Sequence, residues 1–223
     1  MSIAPAASSR TAALPTLRLR ELACRRGDRV VFDGVSLELP AGALVWLRGR
    51  NGCGKTSLLR LVTGLSSADS GQVLWGREPI RRVPSYRSEL VYVAHANALK
   101  EDLSVSESLA FFARIHHRDV SAQGLESALD LFGLASRRHA PVRTLSQGQR
   151  RRVALARLAI ESRPSLWVLD EPFDALDAEA AQRLGALLAS HQARGGSVLL
   201  TSHQALPGAL LRPVEFDLDR HAR

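Results

Sequence analysis

The sequence predicts an α/β fold in which a parallel β-sheet carries a phosphate-binding loop at one edge. A glycine-rich loop follows a short apolar strand, a second apolar strand ends in two carboxylates, and strand and helix patterns alternate through the second half of the chain. Such alternation favours parallel strands, because each helical crossover returns the chain to the same end of the sheet. Nearer the amino terminus, alternating apolar residues predict an antiparallel β subdomain.

The first elements are a tail and this antiparallel subdomain. Residues 1–16 are rich in Ala, Ser and Pro, contain no acidic residue and lack the apolar core of a secretory signal, so we expect a disordered tail. Apolar residues alternate around Leu17–Ala23 and Val35–Leu39, as in half-buried antiparallel strands. Leu44–Leu47 is continuously apolar, which predicts a buried parallel strand. We expect a single domain over residues 17–223.

The later elements are predicted from the change between strand and helix patterns. Apolar residues have helical spacing in a region of about 100–160, which we expect to form an inserted helical subdomain. Around it, short apolar runs predict strands and longer amphipathic stretches predict helices. The predicted strands are Val73–Trp75, Leu90–Ala94, Leu166–Leu169 and Ser197–Thr201, and the predicted helices are Lys55–Val62, one beginning near Gly148, and Ala178–Ala193.

The glycine-rich loop has the spacing G-x-x-x-x-G-K-[ST]. Backbone N–H groups in such a loop turn inward to hold phosphate oxygens, and the helix that follows adds its positive amino-terminal end. Of the 30 basic residues only Lys55 and Lys100 are lysines, and lysine suits a position where a compact charge must reach between phosphates. This phosphate loop predicts a P-loop NTPase that binds a nucleotide triphosphate through Gly49, Arg50, Asn51, Gly52, Cys53, Gly54, Lys55 and Thr56.

A carboxylate pair, Asp170 and Glu171, follows the predicted strand Leu166–Leu169. Ligands of parallel α/β sheets bind outside the carboxyl ends of the strands, so the pair should face the phosphate loop. Asp170 is suited to hold Mg²⁺ together with the Thr56 hydroxyl, and Glu171 to orient or deprotonate the attacking water. Alone, such a pair is typical of a helix-capping turn; the phosphate loop favours the catalytic interpretation.

A second anion site is predicted at Leu145–Gln149, where Ser146 and Gly148 precede a helical segment. Simple capping by Ser146 is the alternative. The three basic residues Arg150–Arg152 come next, and basic residues at a helix start oppose the macrodipole. They therefore form either a solvated face or a contact with phosphate.

Two further polar residues follow predicted elements. A lone histidine is more often structural than catalytic, but His203 lies beyond the carboxyl end of Ser197–Thr201, beside the expected nucleotide, so a contact with a γ-phosphate is expected. Asp177 is placed either to cap the helix after it or to reach across a subunit interface.

Composition limits the class of protein. The 223 residues are 45% hydrophobic, as in soluble globular proteins, and no run approaches the ~18 apolar residues of a membrane span, so a membrane role would be peripheral. The net charge of +8 favours an acidic partner, which nucleic acid, an anionic membrane surface or phosphates would all provide. Two cysteines do not make a disulfide framework, which favours a reducing compartment.

The order of these motifs along the chain resembles that in the nucleotide-binding domain of an ABC ATPase. The motifs are the phosphate loop, LSQGQ at Leu145–Gln149, the WVLDE strand end, the ALD that ends in Asp177, and His203. The resemblance covers the chain from Leu17 onward and implies a RecA-like parallel sheet core with ATP and Mg²⁺ as cofactors. It also implies a head-to-tail homodimer, in which the LSQGQ segment, called the signature below, closes over the partner's ATP. The residues that would serve this second half of the site are Ser146, Gly148 and Gln149 as γ-phosphate ligands, His203 as γ-phosphate sensor and Asp177 at the interface.

A narrower resemblance rests on Tyr92–Lys100, Phe173–Asp177 and Gly195–Gln204, which are similar to the ATP-binding subunits of the bacterial cytochrome c maturation (haem export) system. It implies an ATP-hydrolysing subunit bound to integral membrane subunits of that complex. The subunit would be peripheral, on the cytoplasmic side of the cell inner membrane, and would serve haem export or handover. No nucleic acid is expected as a partner.

The chain departs from the general ABC pattern at two places. Most members have a glutamine that links Mg²⁺ to the membrane domain where this chain has His95 followed by Ala96, and the aromatic that stacks on adenine is missing near Arg26. We expect Arg26 or Phe32 to cover the base instead. Cys53 lies among inward-pointing N–H groups, which are expected to favour its thiolate; the alternative is a small residue that merely fits the loop.

Three other functions are weighed against this one. An ABC ATPase for another exported substrate would share every motif above. A nucleic-acid-associated ABC ATPase would suit the basic charge, but such proteins usually carry two ATPase domains in one chain or long coiled coils, which are not seen in this sequence. A small-molecule kinase would share the phosphate loop, but the LSQGQ segment counts against it.

Overall fold

A parallel sheet, an antiparallel sheet and a set of helices make up the structure. The computed structural model describes residues 13–207 and 211–222. Within them the strands are β1 (Leu17–Arg26), β2 (Arg29–Leu39), β3 (Leu44–Arg48), β4 (Ser70–Trp75), β5 (Glu78–Pro79), β6 (Leu90–Val93), β7 (Leu166–Leu169), β8 (Ser197–Thr201) and β9 (Val214–Asp217). The helices are α1 (Lys55–Val62), α2 (Val105–Ile115), α3 (Ala122–Leu131), α4 (Gln147–Ala159) and α5 (Ala178–Ala193).

The antiparallel sheet has the strand order β2-β1-β4-β5 and confirms the predicted β subdomain. Alternate residues of β1, among them Leu17 and Leu19, are buried, as the period of two requires. The register then shifts beyond Arg20, where Glu21 has a φ of +46° and Leu22 turns into the core. This bulge lets one strand continue past the point where a strict alternation would have placed polar residues inside.

The parallel sheet has the strand order β6-β7-β8-β3-β9, so β3 lies between two strands that come late in the chain. Successive residues of β7 enter opposite faces: Trp167 packs into the core cluster beneath α4 and α5, while Leu166 and Val168 pack into the cluster that α1 shares with the antiparallel sheet. A strand covered on both faces must be apolar throughout, which is why Leu166–Leu169 could be predicted.

Strand β9 was not predicted from the sequence. Its residues Val214–Asp217 are mostly exposed and include two acids, so no apolar run marks the strand. It pairs in parallel with the outer edge of β3. The acids are tolerated because the strand lies at an edge of the sheet.

Helices α2 and α3 pack on α4 and lie within the predicted subdomain of about residues 100–160. Ser104 and Glu107 form a capping box at the start of α2, and Ser121 caps α3 by accepting from the Gly124 amide. The predicted bounds of α1 and α5 agree with the structure, because glycine or aspartate precedes each helix.

The predicted disordered tail, residues 1–16, falls largely outside the described residues, which begin at 13. Of its last residues, Leu14 is buried against the antiparallel sheet, and the Thr16 carbonyl accepts from the Gly76 amide. Among residues 13–207 and 211–222, each helix is too short or too polar to cross a lipid bilayer.

We expect the bulge in β1 to make Gly71 of β4 irreplaceable. Gly71 has a φ of +80°, and an added Cβ would lie 2.3 Å from the carbonyl oxygens of Arg20 and Glu21. Gly71→Ala should therefore lower the free energy of unfolding by about 3 kcal/mol or more, since backbone atoms must shift. Gly27 is the matched control: its φ is +58°, but an added Cβ meets no atom within 4 Å.

Gly27→Ala should cost only the ~1–2 kcal/mol of a left-handed alanine. Urea denaturation of both variants, followed by circular dichroism, gives the two free energies. Equal losses in the two variants would contradict the close approach of β4 to the bulge.

Candidate nucleotide-binding and catalytic site

The parallel sheet brings the predicted phosphate loop, carboxylate pair and histidine to one edge. The loop follows β3, Asp170 and Glu171 follow β7, and His203 follows β8. Together they line an open cleft of about 540 Å³, whose walls include Asn51, Gly52, Gly54, Lys55, Thr56, Asp170, Glu171 and His203. These residues come from three separate parts of the chain, so the fold assembles the site that the motifs predict.

Close packing requires glycine at two positions of the phosphate loop. Gly54 has a φ of +107°, and an added Cβ would lie 2.5 Å from Val31 Cγ1 and 2.9 Å from Phe32 Cδ1. Gly49 has a φ of +142°, and its Cβ would lie 2.6 Å from Cys53 Sγ. The loop thus folds tightly over β2, and a side chain at either glycine would force its neighbours to shift.

Helix α1 presents an anion-binding end to the same cleft. Its first turn contains no acid, and its N-cap residue Gly54 makes no side-chain cap, so the first N–H groups have no side-chain acceptor there. Lys55 is 9% exposed, and its ammonium donates to the carbonyl oxygens of Gly49 (2.7 Å) and Arg50 (3.3 Å). The donor set fits a triphosphate, because the amides and the lysine are grouped around one loop.

Asp219 holds the phosphate loop from outside, a contact that we did not predict from the sequence. Its Oδ2 accepts from the Arg50 amide at 2.9 Å, and its Oδ1 lies 3.4 Å from Arg50 Nε. The residue follows β9, so the edge strand that lacked a sequence pattern positions it. No local motif around residues 214–220 could have indicated this contact, since its partner lies 169 residues away.

Asp170 joins the loop helix to the sheet. Its Oδ2 accepts from the Thr56 hydroxyl at 2.9 Å, and its Oδ1 accepts from the Thr201 hydroxyl at 3.0 Å. Asp170 is 2% exposed, whereas Thr56 is open to solvent. A hydroxyl and a carboxylate at this spacing are hard oxygen ligands that fit Mg²⁺, which takes its remaining ligands from phosphates and water.

Glu171 is held firmly by its backbone and by one carboxylate oxygen. Its φ is +49°, its N–H donates to Thr201 Oγ1 at 2.8 Å, and its Oε2 accepts from the His203 N–H at 3.0 Å. Within the described residues the other oxygen, Oε1, is buried without a hydrogen-bond partner, and His203 Nε2 lies 3.4 Å from it. An acceptor in this state fits a water molecule, which would donate to it.

The signature is not part of this cleft. Ser146 instead caps α4 by accepting from the Gln149 amide at 3.2 Å, while Gln149 Oε1 accepts from the Ser146 amide at 3.0 Å. Gly148 lies against the chain before α5, where an added Cβ would be 2.8 Å from the Ala175 carbonyl oxygen. Asp177 caps α5 through the Ala180 amide at 2.8 Å. Their predicted roles in a second copy's ATP site stay predictions.

The arginines that follow the signature do not line the cleft. Arg150 pairs with Glu101 at 2.9 Å, and Arg152 lies 3.8 Å from Asp177. Arg151 is only 3% exposed and donates to backbone carbonyls inside the molecule. The two alternatives drawn from the sequence, a solvated face or a phosphate contact, are therefore both wrong for Arg151.

Of the two residues expected to cover the base, the structure excludes Phe32, and the role of Arg26 stays a prediction. Phe32 is fully buried in the core beneath the loop, so its predicted stacking on adenine is wrong. Arg26 lines the cleft with Arg29 and Val31, and its Nη2 donates to Ser57 Oγ at 3.0 Å. His95, which replaces the usual glutamine, also lines the cleft and is exposed.

The expectation that the Cys53 thiolate would be favoured is wrong. Burial raises the pKa of the Cys53 thiol, and the carboxylates of Asp219 and Asp217 raise it further. The Lys55 ammonium and a hydrogen bond from the Lys55 amide lower this pKa, but their effect is smaller. Cys53 is therefore a small packed side chain under the loop.

Comparisons with known proteins agree with this geometry. A model of the ABC transporter family matches residues 32–174. The chain is 46% identical to the cytochrome c biogenesis ATP-binding export protein CcmA of Aromatoleum aromaticum, over 93% of this chain and 97% of the relative. It is also 46% identical to CcmA of Escherichia coli O157:H7, over 82% of this chain and 86% of that protein.

The fold is similar to those of solved ATP-binding proteins. A putative ABC transporter ATP-binding protein from Pyrococcus furiosus superposes with a TM-score of 0.79 at 22% identity, over 93% of this chain and all of that one. The ATP-binding subunit of another ABC transporter superposes with a TM-score of 0.75 at 26% identity, over 84% of this chain and 79% of that one. The parallel core, the antiparallel sheet and the helices are thus an arrangement that other ABC ATPases share.

We expect Arg26 to contribute to ATP affinity through the base. Arg26→Ala should weaken ATP binding about fivefold or more, since stacking on a base is worth ~1–3 kcal/mol. Tripolyphosphate lacks the base and should bind the wild-type protein and the Arg26→Ala variant equally. Arg25→Ala is the matched control, because Arg25 precedes Arg26 on the same strand but does not line the cleft.

Isothermal titration with ATP and with tripolyphosphate measures both affinities. If the Arg26→Ala protein binds ATP as tightly as the Arg25→Ala protein, the prediction that Arg26 covers the base is wrong.

Proposed function

The chain belongs to the ABC transporter family of ATP-binding proteins, and we propose that it is the ATP-hydrolysing subunit of a membrane complex that exports or hands over haem for c-type cytochrome biogenesis. Relatives named cytochrome c biogenesis ATP-binding export protein CcmA are 42–47% identical to it over at least 82% of its length. The observation that carries the catalytic part is the Glu171 carboxylate, fixed at the cleft next to the Thr56–Asp170 pair.

Phosphate binding is assigned to the loop and to α1. The Lys55 ammonium would exchange the carbonyl oxygens of Gly49 and Arg50 for phosphate oxygens, which are stronger acceptors because they carry charge. The N–H groups of the loop and the positive end of α1 would surround the same phosphates. Thr56 and Asp170 would hold Mg²⁺, which when bound would neutralise charge on the phosphate oxygens.

Water activation is assigned to Glu171. Its Oε2 is occupied by the His203 N–H, so Oε1 is the oxygen left to accept from a water molecule and to take its proton. Thr201 holds the Glu171 amide, and His203 Nε2 lies 3.4 Å from the same oxygen, where its ring would contact the γ-phosphate. A fixed base of this kind requires little rearrangement during the reaction.

The cleft of one chain is half of the proposed site. The signature residues Ser146, Gly148 and Gln149 lie outside it, at the amino-terminal end of α4. In a head-to-tail homodimer this positive helix end would close over the ATP of the other copy. Asp177 would lie at the same interface, since the chain before α5 packs directly on Gly148.

The partners are proposed from the relatives, whose names describe them as ATP-binding export proteins of cytochrome c biogenesis. Integral membrane subunits of the cytochrome c maturation complex would bind the chain, which would then be peripheral on the cytoplasmic side of the inner membrane. The exposed His95, at the edge of the cleft, stands where the glutamine of most ABC ATPases would connect the nucleotide to these subunits.

Glu171→Gln should bind ATP, stall hydrolysis and trap the ATP-bound dimer. The amide keeps the size of the side chain but cannot accept a proton, so kcat should fall by ~10²–10⁴-fold. Glu179→Gln is the control, because Glu179 is an exposed residue of α5 that pairs with Arg183. Phosphate release and size-exclusion chromatography with ATP measure the two effects; a Glu171→Gln protein that stays monomeric with ATP would contradict the sandwich dimer.

Loss of the protein should abolish c-type cytochromes and leave b-type cytochromes intact. The reason is that haem itself would still be made, whereas its delivery for attachment would stop. Haem staining of c-type cytochromes and difference spectra of b-type cytochromes in a deletion strain measure the two classes. Complementation by wild type but not by Glu171→Gln would connect the phenotype to hydrolysis, and normal c-type cytochromes in the deletion strain would refute the haem assignment.

A further inference from the structure

The guanidinium of Arg151 lies inside the molecule, in the first turns of α4. It is 3% exposed, and its hydrogen bonds go to oxygens of the sheet edge. Nη2 donates to the carbonyls of Asp170 and Glu171, each at 2.7 Å, and Nη1 donates to the Ala94 carbonyl at 2.8 Å and to Asn97 Oδ1 at 3.2 Å. The guanidinium group donates to four acceptors at once. Because the group is planar, these hydrogen bonds together fix its orientation.

This one side chain connects three parts of the site. Asp170 and Glu171 follow β7, Ala94 follows the neighbouring strand β6, and Arg151 itself comes three residues after Gly148 of the signature. Residues three apart lie on the same side of a helix, so a shift of the signature moves Arg151 with it. The signature helix is therefore tied directly to the main chain of the catalytic carboxylates.

The main chain of Glu171 needs such support. Its φ of +49° lies in the left-handed region, which is unfavourable for a non-glycine residue unless its surroundings hold it. Its N–H is held by Thr201, and its carbonyl accepts from Arg151 at 2.7 Å and from the Asp174 amide at 3.2 Å. Two short hydrogen bonds, one on each side of the residue, thus set the direction of its side chain.

The charge of Arg151 is offset only in part at the same place, because the effect of burial on its pKa is larger than that of the nearby acids. Burial lowers the pKa of Arg151, while the carboxylates of Asp174, Asp170 and Glu171 raise it. The cation thus stands among the acids of the site without forming a direct ion pair with any of them. Its contacts are with the main chain, which is what a residue that positions the backbone requires.

We propose that Arg151 is a positioning residue through which the signature helix α4 holds the backbone of Glu171 in its catalytic orientation. The inference rests on the proposed role of Glu171 as general base. In the proposed dimer it would let the capture of one ATP by the signature act on the base that serves the other ATP, since both ends of the link belong to one chain.

Arg151→Met tests the link against Arg157→Met. Arg157 is the matched control: it lies on the same helix, is also buried, donates to the Tyr92 carbonyl and stacks on Phe112, but does not contact the catalytic residues. In the full-length chain, Arg151→Met should keep its ATP affinity within about threefold and lose about a hundredfold in kcat, the scale of a ~1 Å displacement of a catalytic group. Arg157→Met should keep kcat within about threefold per folded molecule.

A second measurement separates positioning from a general loss of structure. If Arg151 acts through Glu171, then adding Arg151→Met to Glu171→Gln should leave the residual hydrolysis rate within about twofold, because interacting residues are not additive. Arg151→Lys keeps the positive charge but lacks the planar guanidinium group, so it should recover part of kcat. If Arg151→Met does not fold, Arg151→Lys is used in its place. Equal falls in kcat with and without Glu171→Gln would overturn the proposal.

The failure of this proposal can be told from failure of the proposed function. If Glu171→Gln hydrolyses ATP as fast as wild type, Glu171 is not the base and both proposals fall. If Glu171→Gln is inactive while Arg151→Met and Arg157→Met have the same kcat, the proposed role of Glu171 as general base is retained and the proposed role of Arg151 is refuted.

Discussion

The carboxylate of Asp170 accepts two hydroxyl hydrogen bonds, and the site depends on this pair. One hydroxyl, from Thr56, belongs to the helix after the phosphate loop, and the other, from Thr201, ends β8. Hydrogen bonds to a charged group are worth ~1.5–3 kcal/mol each, and the carboxylate of Asp170, which is 2% exposed, accepts both of them inside the molecule. Thr201 Oγ1 also accepts from the Glu171 amide, so the helix after the phosphate loop, the proposed metal ligand Asp170 and the proposed general base Glu171 are held at one fixed point.

Much of this site could be predicted because its signals are local. The phosphate loop needs glycine at fixed spacings, a strand covered on both faces must be apolar, and the residues after such strands meet at one edge. Lys55, Asp170, Glu171 and His203 follow from these rules and line one cleft. The predicted helix starts followed from caps, which are also local, as at Asp177.

The contacts that were missed join residues far apart in the chain. Asp219 holds the phosphate loop across 169 residues, and Arg151 reaches the end of β7 from α4, so neither has a motif of its own. Phe32 and Cys53 were misjudged for a related reason. Each lies in a segment with an attractive local chemistry, but core packing turns Phe32 inward and burial outweighs the amides around Cys53. Tertiary burial decides such cases, and the sequence around a residue does not record it.

The position of β3 between β8 and β9 bears on the order in which the nascent chain can become active. As synthesis proceeds, β3 emerges early, but both strands that flank it come more than 140 residues later, by the registers Leu44↔Val198 and Val45↔Val214. Until they arrive, the phosphate loop has neither its sheet neighbours nor the Asp219 carboxylate. A partly synthesised chain therefore lacks part of the candidate nucleotide site, and the proposed contacts with a second copy and with membrane subunits would have to wait until its own core is complete.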